Sequence, residues 1–135
     1  MEIPELYEKT TANITVTVEP VYLAEQSRPD NHHYVWAYRV RIYNRGTEAV
    51  QLHSRYWRIT DSNGAVQEVE GEGVVGKQPL LQPGESFEYT SGTPLNTPGG
   101  IMLGHYRMRR RNGEDFLIDI PAFSLDSPHE PAVRH

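Results

Sequence analysis

The chain contains no cysteine, which excludes disulfides and thiolate metal sites at once. It has no apolar run approaching the ~20 residues that cross a bilayer as a helix. It also has no excess of positive charge, since 13 Lys and Arg stand against 18 Asp and Glu, for a net charge of −5. Phosphate affinity is carried by surplus Lys and Arg, so the balance disfavours a general binder of nucleic acid or anionic membrane, and neither is expected as a partner. A helical signal is missing too: no stretch sustains a 3.6-residue apolar period, and Pro or Gly interrupts each candidate. The opening Met1-Glu2-Ile3-Pro4-Glu5 is acidic and lacks the apolar centre of a signal peptide. These absences lead us to expect a soluble, cytoplasmic protein. At 135 residues, one domain is expected over residues 1–135, with an ordered core at about 7–124 and a frayed tail at 125–135.

What is present is alternation. Ile14, Val16 and Val18 alternate with Thr15 and Thr17, the period of a half-buried strand. Tyr34 to Asn44 is clearer: Tyr34, Trp36, Tyr38, Val40 and Ile42 share one face, while Arg39 and Arg41 need water on the other. In Val50–Thr60, Leu52 and Trp57 have opposite parity. Burying both requires a β-bulge, expected near Arg55-Tyr56. Asp61-Ser62-Asn63-Gly64 turns the chain into Ala65–Glu70. Glu85–Ser91, Ile101–Arg110 and Asp115–Ile120 complete the set. About seven short strands punctuated by turns read as an all-β, immunoglobulin- or fibronectin type III-like sandwich of antiparallel strands. The expected core is Trp36, Tyr38, Val40, Trp57, Met102, Tyr106, Phe116 and Ile118.

The last hairpin can be worked out in register. A two-residue Asn112-Gly113 loop places Arg107 and Arg109 on the core face. A three-residue loop, Arg111-Asn112-Gly113, pairs Met108 with Phe116 and Tyr106 with Ile118, and sets Arg109 opposite Asp115 and His105 opposite Asp119. Gly113 then falls at the left-handed position of a bulged turn. Apolar burial favours the longer loop.

Glycine and proline are concentrated in Gly71–Gly104, which contains Gly71-Glu72-Gly73-Val74-Val75-Gly76, a literal G-x-G-x-x-G. In a dinucleotide fold that pattern opens a helix whose N-terminus holds the pyrophosphate. Here Pro79 follows three residues after Gly76 and Leu81-Gln82-Pro83-Gly84 follows that, so no helix can start. A backbone nest for a small anion remains, formed by Gly71, Gly73 and Gly76 with Lys77 beside it. The alternative is that the glycines permit tight turns.

The same stretch closely resembles the bacterial ApaG family. The matching residues are Gly73-Val74-Val75-Gly76, Gln78-Pro79, Leu81, Pro83-Gly84-Glu85, Phe87, Tyr89-Thr90-Ser91-Gly92, Pro94-Leu95, Thr97-Pro98, Gly100-Ile101-Met102, Gly104 and Tyr106. Upstream, Ser54-Arg55-Tyr56-Trp57 and Ile59-Thr60-Asp61 match as well. The resemblance implies a fibronectin type III-like sandwich. Similar domains occur in eukaryotic F-box proteins and in a DNA-polymerase-δ-interacting protein, as protein-interaction modules. The family is linked by name to cobalt and magnesium efflux. No catalytic residue set comes with it.

The function expected is a non-enzymatic protein-interaction module with no cofactor. Its partner is another protein that the sequence does not name, and a homo-oligomer stays open. A small-anion, pyrophosphate or nucleotide sensor at Gly71–Lys77 is the alternative, and a divalent-metal-responsive protein the second. Arg107, Arg109, Arg110 and Arg111 form a basic run, read either as a patch for an acidic partner or as cross-strand partners of Asp115 and Asp119. His32 and His33 point to opposite sides of an extended segment, while His53 and His105 lie on separate strands, so no metal ligand set is expected. Ser91 stands in Tyr-Thr-Ser-Gly rather than in a nucleophile elbow. Chain direction places Gly71–Gly84 beside Arg111–Gly113 at one end of the sandwich. Gly92–Gly100 falls at the other, with Glu19–His33 and Asp61–Gly64.

Overall fold

The computed structural model describes residues 6–129. Among them the chain forms nine strands: β1 (Tyr7–Thr11), β2 (Ile14–Tyr22), β3 (Tyr34–Asn44), β4 (Val50–Asp61), β5 (Val66–Glu72), β6 (Leu80–Leu81), β7 (Ser86–Leu95), β8 (Gly100–Arg110) and β9 (Asp115–Leu125). Two antiparallel sheets face each other, in the orders β1-β2-β3-β7 and β5-β4-β8-β9, with β6 on β4. The seven expected strands are all present, and β1 and β6 are additions. Tyr7–Thr11, where the sequence shows no strand signal, forms β1. Its sequence has no apolar alternation, and pairing with β2 creates it, with Lys9 reaching Asp119 of β9 (3.2 Å).

The core lies between the inward rows. Trp36, Tyr38, Val40, Trp57, Met102, Tyr106 and Ile118 are buried as expected. Phe116 is only half-buried: it sits near the β8–β9 turn, where the Arg110 guanidinium lies over its ring at 4.1 Å. That turn has the three-residue loop. Met108 pairs with Phe116, Tyr106 with Ile118, Arg109 with Asp115 and His105 with Asp119, and Gly113 has φ +89°.

The bulge in β4 exists, but it falls at His53, between Leu52 and Ser54 in the register with β8. Its place is set by hydrogen bonds from outside the strand pair. The His53 carbonyl accepts from Gly73 N–H (2.8 Å) and Gln78 Nε2 (2.9 Å), which draws it towards the neighbouring loop. Along the same edge of β4, β5 pairs with Ser54–Thr60 and β6 with Val50–Gln51. Residues 73–79 thus form an excursion from an interrupted edge strand.

β7 runs on to Leu95 and β9 to Leu125. Pro94 is tolerated because β7 is an edge strand, and Pro121 because it falls at a second bulge, between Met102 and Gly104 in the β8–β9 register. The tail expected to fray from residue 125 is pinned as far as His129. Leu125 is buried, Trp36 Nε1 donates to Asp126 O (2.8 Å), Ser127 Oγ donates to Pro98 O (2.6 Å), and the His129 ring lies 6.0 Å from those of Tyr22 and Tyr34. Residues 130–135 lie outside the described residues. No helix among those described is long and apolar enough to cross a membrane.

Candidate functional site

The G-x-G-x-x-G segment is a tight hairpin. Val74 N–H donates to Lys77 O (2.8 Å) and Lys77 N–H to Val74 O (2.9 Å). Between them Val75 and Gly76 both have positive φ, +44° and +79°, the signature of a type I′ turn. Val74 is wholly buried and anchors the hairpin in the core, while Val75 is 54% exposed. Gly73 has φ +65°, and a Cβ there would lie 2.3 Å from Lys77 O. Three of the amides available to an anion, those of Gly73, Val74 and Lys77, are therefore spent on protein carbonyls. The Val75 and Gly76 amides have no acceptor among the described residues. Gly71 lies within β5, where its lack of a side chain admits the Arg55 guanidinium.

The four arginines split. Arg107 and Arg109 point to the outer face of their sheet and share Asp115 (3.2 and 2.7 Å). The hydrogen bond from Arg109 holds the Asp115 carboxyl below the usual aspartate range. Arg110 is held by Glu48 and Glu114. Arg111, exposed in the turn, has no partner among the described residues. Asp119 pairs with Lys9 rather than with an arginine. Although in register with Asp119, His105 stacks on Tyr56, with centroids 4.9 Å apart and planes at 23°.

A polar seam between the sheets was not singled out from the sequence. Arg55 is in register with buried Tyr106, so it points inward, and its Nη1 donates to Glu72 O (3.1 Å) and Gly73 O (2.8 Å). It acts as a clasp on the base of the hairpin. The hydroxyls of Tyr89 and Tyr106 bond each other, and Tyr38 is in register with Ser91 across β3 and β7. Burial pushes the phenols of Tyr38, Tyr89 and Tyr106 above their ordinary value of 10, with those of Tyr89 and Tyr106 moved furthest. All three stay protonated at neutral pH and cannot serve as bases. The one available signal was that inward parity at Arg55 is forced once the bulge precedes it.

On the outer face, Ser54, Tyr56, Glu70, Glu72, His105 and Arg107 line a shallow depression. Its groups are not arranged as nucleophile and base. Ser54 Oγ accepts from Arg107 Nε (3.1 Å), and Tyr56 OH donates to Glu68 (2.6 Å). No three His, Asp or Glu side chains among the described residues converge as a metal cluster.

The far end of the sandwich carries the rest of the Gly71–Gly104 stretch. Thr97 Oγ1 accepts from Ser62 N–H (3.1 Å) and donates to Gly99 O (2.8 Å). Gly73 is tied to His53 and Thr97 to Ser62, nine residues apart along one strand direction, so about 30 Å separates them. The two halves of the motif do not share a site.

The class these features define is an all-β, fibronectin type III-like sandwich with ordered loops at both ends. The sequence model of the ApaG domain matches residues 24–110, and the chain belongs to the ApaG family. It is 59% identical over 130 residues to the ApaG protein of Parvibaculum lavamentivorans, which spans 96% of this chain and 100% of that protein. Identity to the ApaG protein of Paramagnetospirillum magneticum is 62% over 125 residues, 93% and 96% of the two chains. The crystal structure of an ApaA protein from Bordetella pertussis superposes with a TM-score of 0.83 at 53% identity, covering 87% of this chain and 95% of that one.

Proposed function

We propose that the protein is a non-enzymatic interaction module that presents loops to a protein partner from a rigid sandwich. The observation that carries this reading is the separation of the motif. Catalytic groups must converge within hydrogen-bond reach, whereas the residues that distinguish this chain are divided between ends about 30 Å apart. Loops held by a rigid scaffold suit recognition. Here they are held well: Asn44, buried, donates to Glu48 O (2.9 Å) and Leu81 O (3.0 Å) and accepts from Gly46 N–H (2.9 Å). Affinity capture with the purified chain, followed by reconstitution of the captured protein, tests the reading. A defined complex without substrate turnover is expected, and turnover of a small molecule by the chain alone would overturn it.

One observation favours a second reading, the small-anion sensor. The Val75 and Gly76 amides and the Lys77 ammonium are uncommitted among the described residues. Titration with inorganic pyrophosphate, followed by amide NMR, discriminates. Saturable shifts confined to 75–77 would support the sensor, and unchanged resonances leave the interaction module.

A further inference from the structure

Resting on the interaction-module reading, we propose that Val75 is an apolar anchor that seats in an apolar pocket of a partner protein rimmed by carboxylates. A type I′ turn wants Asn, Asp or Gly at its first central position, and Asn-Gly is its preferred pair. This chain has Val-Gly. Among the described residues four other than glycine have positive φ, namely Ala12, Asn13, His32 and Val75, and only Val75 is β-branched. A β-branched residue in the left-handed region is an outlier held at a cost. Burial does not offset that cost, because Val75 is 54% exposed. The residue beneath it is different: Val74 is fully buried, and both cross-turn hydrogen bonds are made. The hairpin is therefore a rigid mount whose tip carries an exposed valine where stability calls for asparagine. Binding through a preorganised tip loses little conformational entropy.

The surroundings indicate the partner's chemistry. Leu80, also exposed, lies at the same end. Of the acidic groups there, Glu48 and Glu114 are taken by Arg110, and Glu85 accepts from Gln82 N–H. Arg45, lying over the Tyr43 ring, Lys77 and Arg111 have no carboxylate partner among the described residues. Glu72 and Glu85, the latter bonded only to a neutral amide, oppose them. In a chain of net charge −5, this end of the sandwich presents three cations without carboxylate partners against two carboxylates without cation partners, a local excess of positive charge beside the apolar tip that complements an apolar pocket edged by Asp or Glu.

The test places a photo-crosslinking residue at position 75, at 63 on the opposite end and at 21 on the outer face of the other sheet. The protein crosslinked in cells is identified, purified and titrated against the intact chain. Val75→Asn should raise the melting temperature by about 3–5 °C and weaken binding by about tenfold or more. Lys77→Glu and Arg111→Glu should slow association and flatten its salt dependence. If 63 or 21 captures a partner and 75 does not, the anchor fails while the module stands. If no position captures any protein, both fail. Crosslinking of the chain to itself, a fall in melting temperature for Val75→Asn, or binding by that variant within about twofold of the parent would each overturn the anchor.

Discussion

Replacing Gly73 and Gly76 separately by Ala distinguishes a built turn from a glycine-rich nest. Both residues have positive φ, +65° and +79°, so each substitution carries the left-handed penalty of about 1 kcal/mol. At Gly76 nothing lies within 4 Å of the added Cβ, and the cost stops there. At Gly73 the Cβ would sit 2.3 Å from Lys77 O. That oxygen is backbone and accepts the Val74 N–H, so the hairpin must open to relieve the overlap. Opening it endangers the two Val74–Lys77 bonds and the Gly73 N–H bond to His53, each worth about 1 kcal/mol net. We expect Gly73→Ala to cost about 3–4 kcal/mol and Gly76→Ala about 1 kcal/mol. Urea unfolding followed by the fluorescence of the two tryptophans measures both. Equal losses, or a larger loss at Gly76, would refute the assignment of Gly73 to close approach.

Three further outcomes follow from the packing. Trp36→Ala should cost about 3–5 kcal/mol as a core cavity and release the 126–129 segment, whose Asp126 carbonyl accepts from the indole; proteolysis in that segment reads out the release. Burial raises the folded pKa of Tyr38, Tyr89 and Tyr106 above 10, so the stability they contribute is intact below about pH 10 and declines as pH rises towards their folded values. Their phenolate absorbance should appear only with unfolding, and early titration of all the tyrosines would contradict the seam. Asp115 has the opposite sign: its folded pKa lies below 3.8, chiefly through the Arg109 hydrogen bond. Its contribution is present above about pH 4 and is lost as pH falls through the folded value. Asp115→Asn should therefore flatten the acid limb of the stability profile measured by urea midpoint, and an unchanged limb would show that the pair is inert.

Much of the sandwich is legible in the chain because strand period and turn chemistry are local. Tyr34–Asn44 alternates so cleanly that its buried row follows from reading every second residue, and the pairing of β3 with β2 and β7 preserves that row. The β8–β9 register follows from burial alone, since only the three-residue loop turns Arg107 and Arg109 outward. What tertiary structure decided are the features whose partners lie far along the chain. The bulge falls at His53 rather than near Arg55-Tyr56 because Gly73 and Gln78, about 20 residues away, bond its carbonyl. Tyr7–Thr11 becomes a strand because β2 offers an open edge. Leu125–His129 is ordered because the Trp36 indole, 90 residues distant from Asp126, donates its N–H to the Asp126 carbonyl. The letters G-E-G-V-V-G suit a nest or a hairpin equally well. Which amides remain free is settled by hydrogen bonds across the turn and by the burial of Val74, energies of pairing and packing that no local pattern encodes.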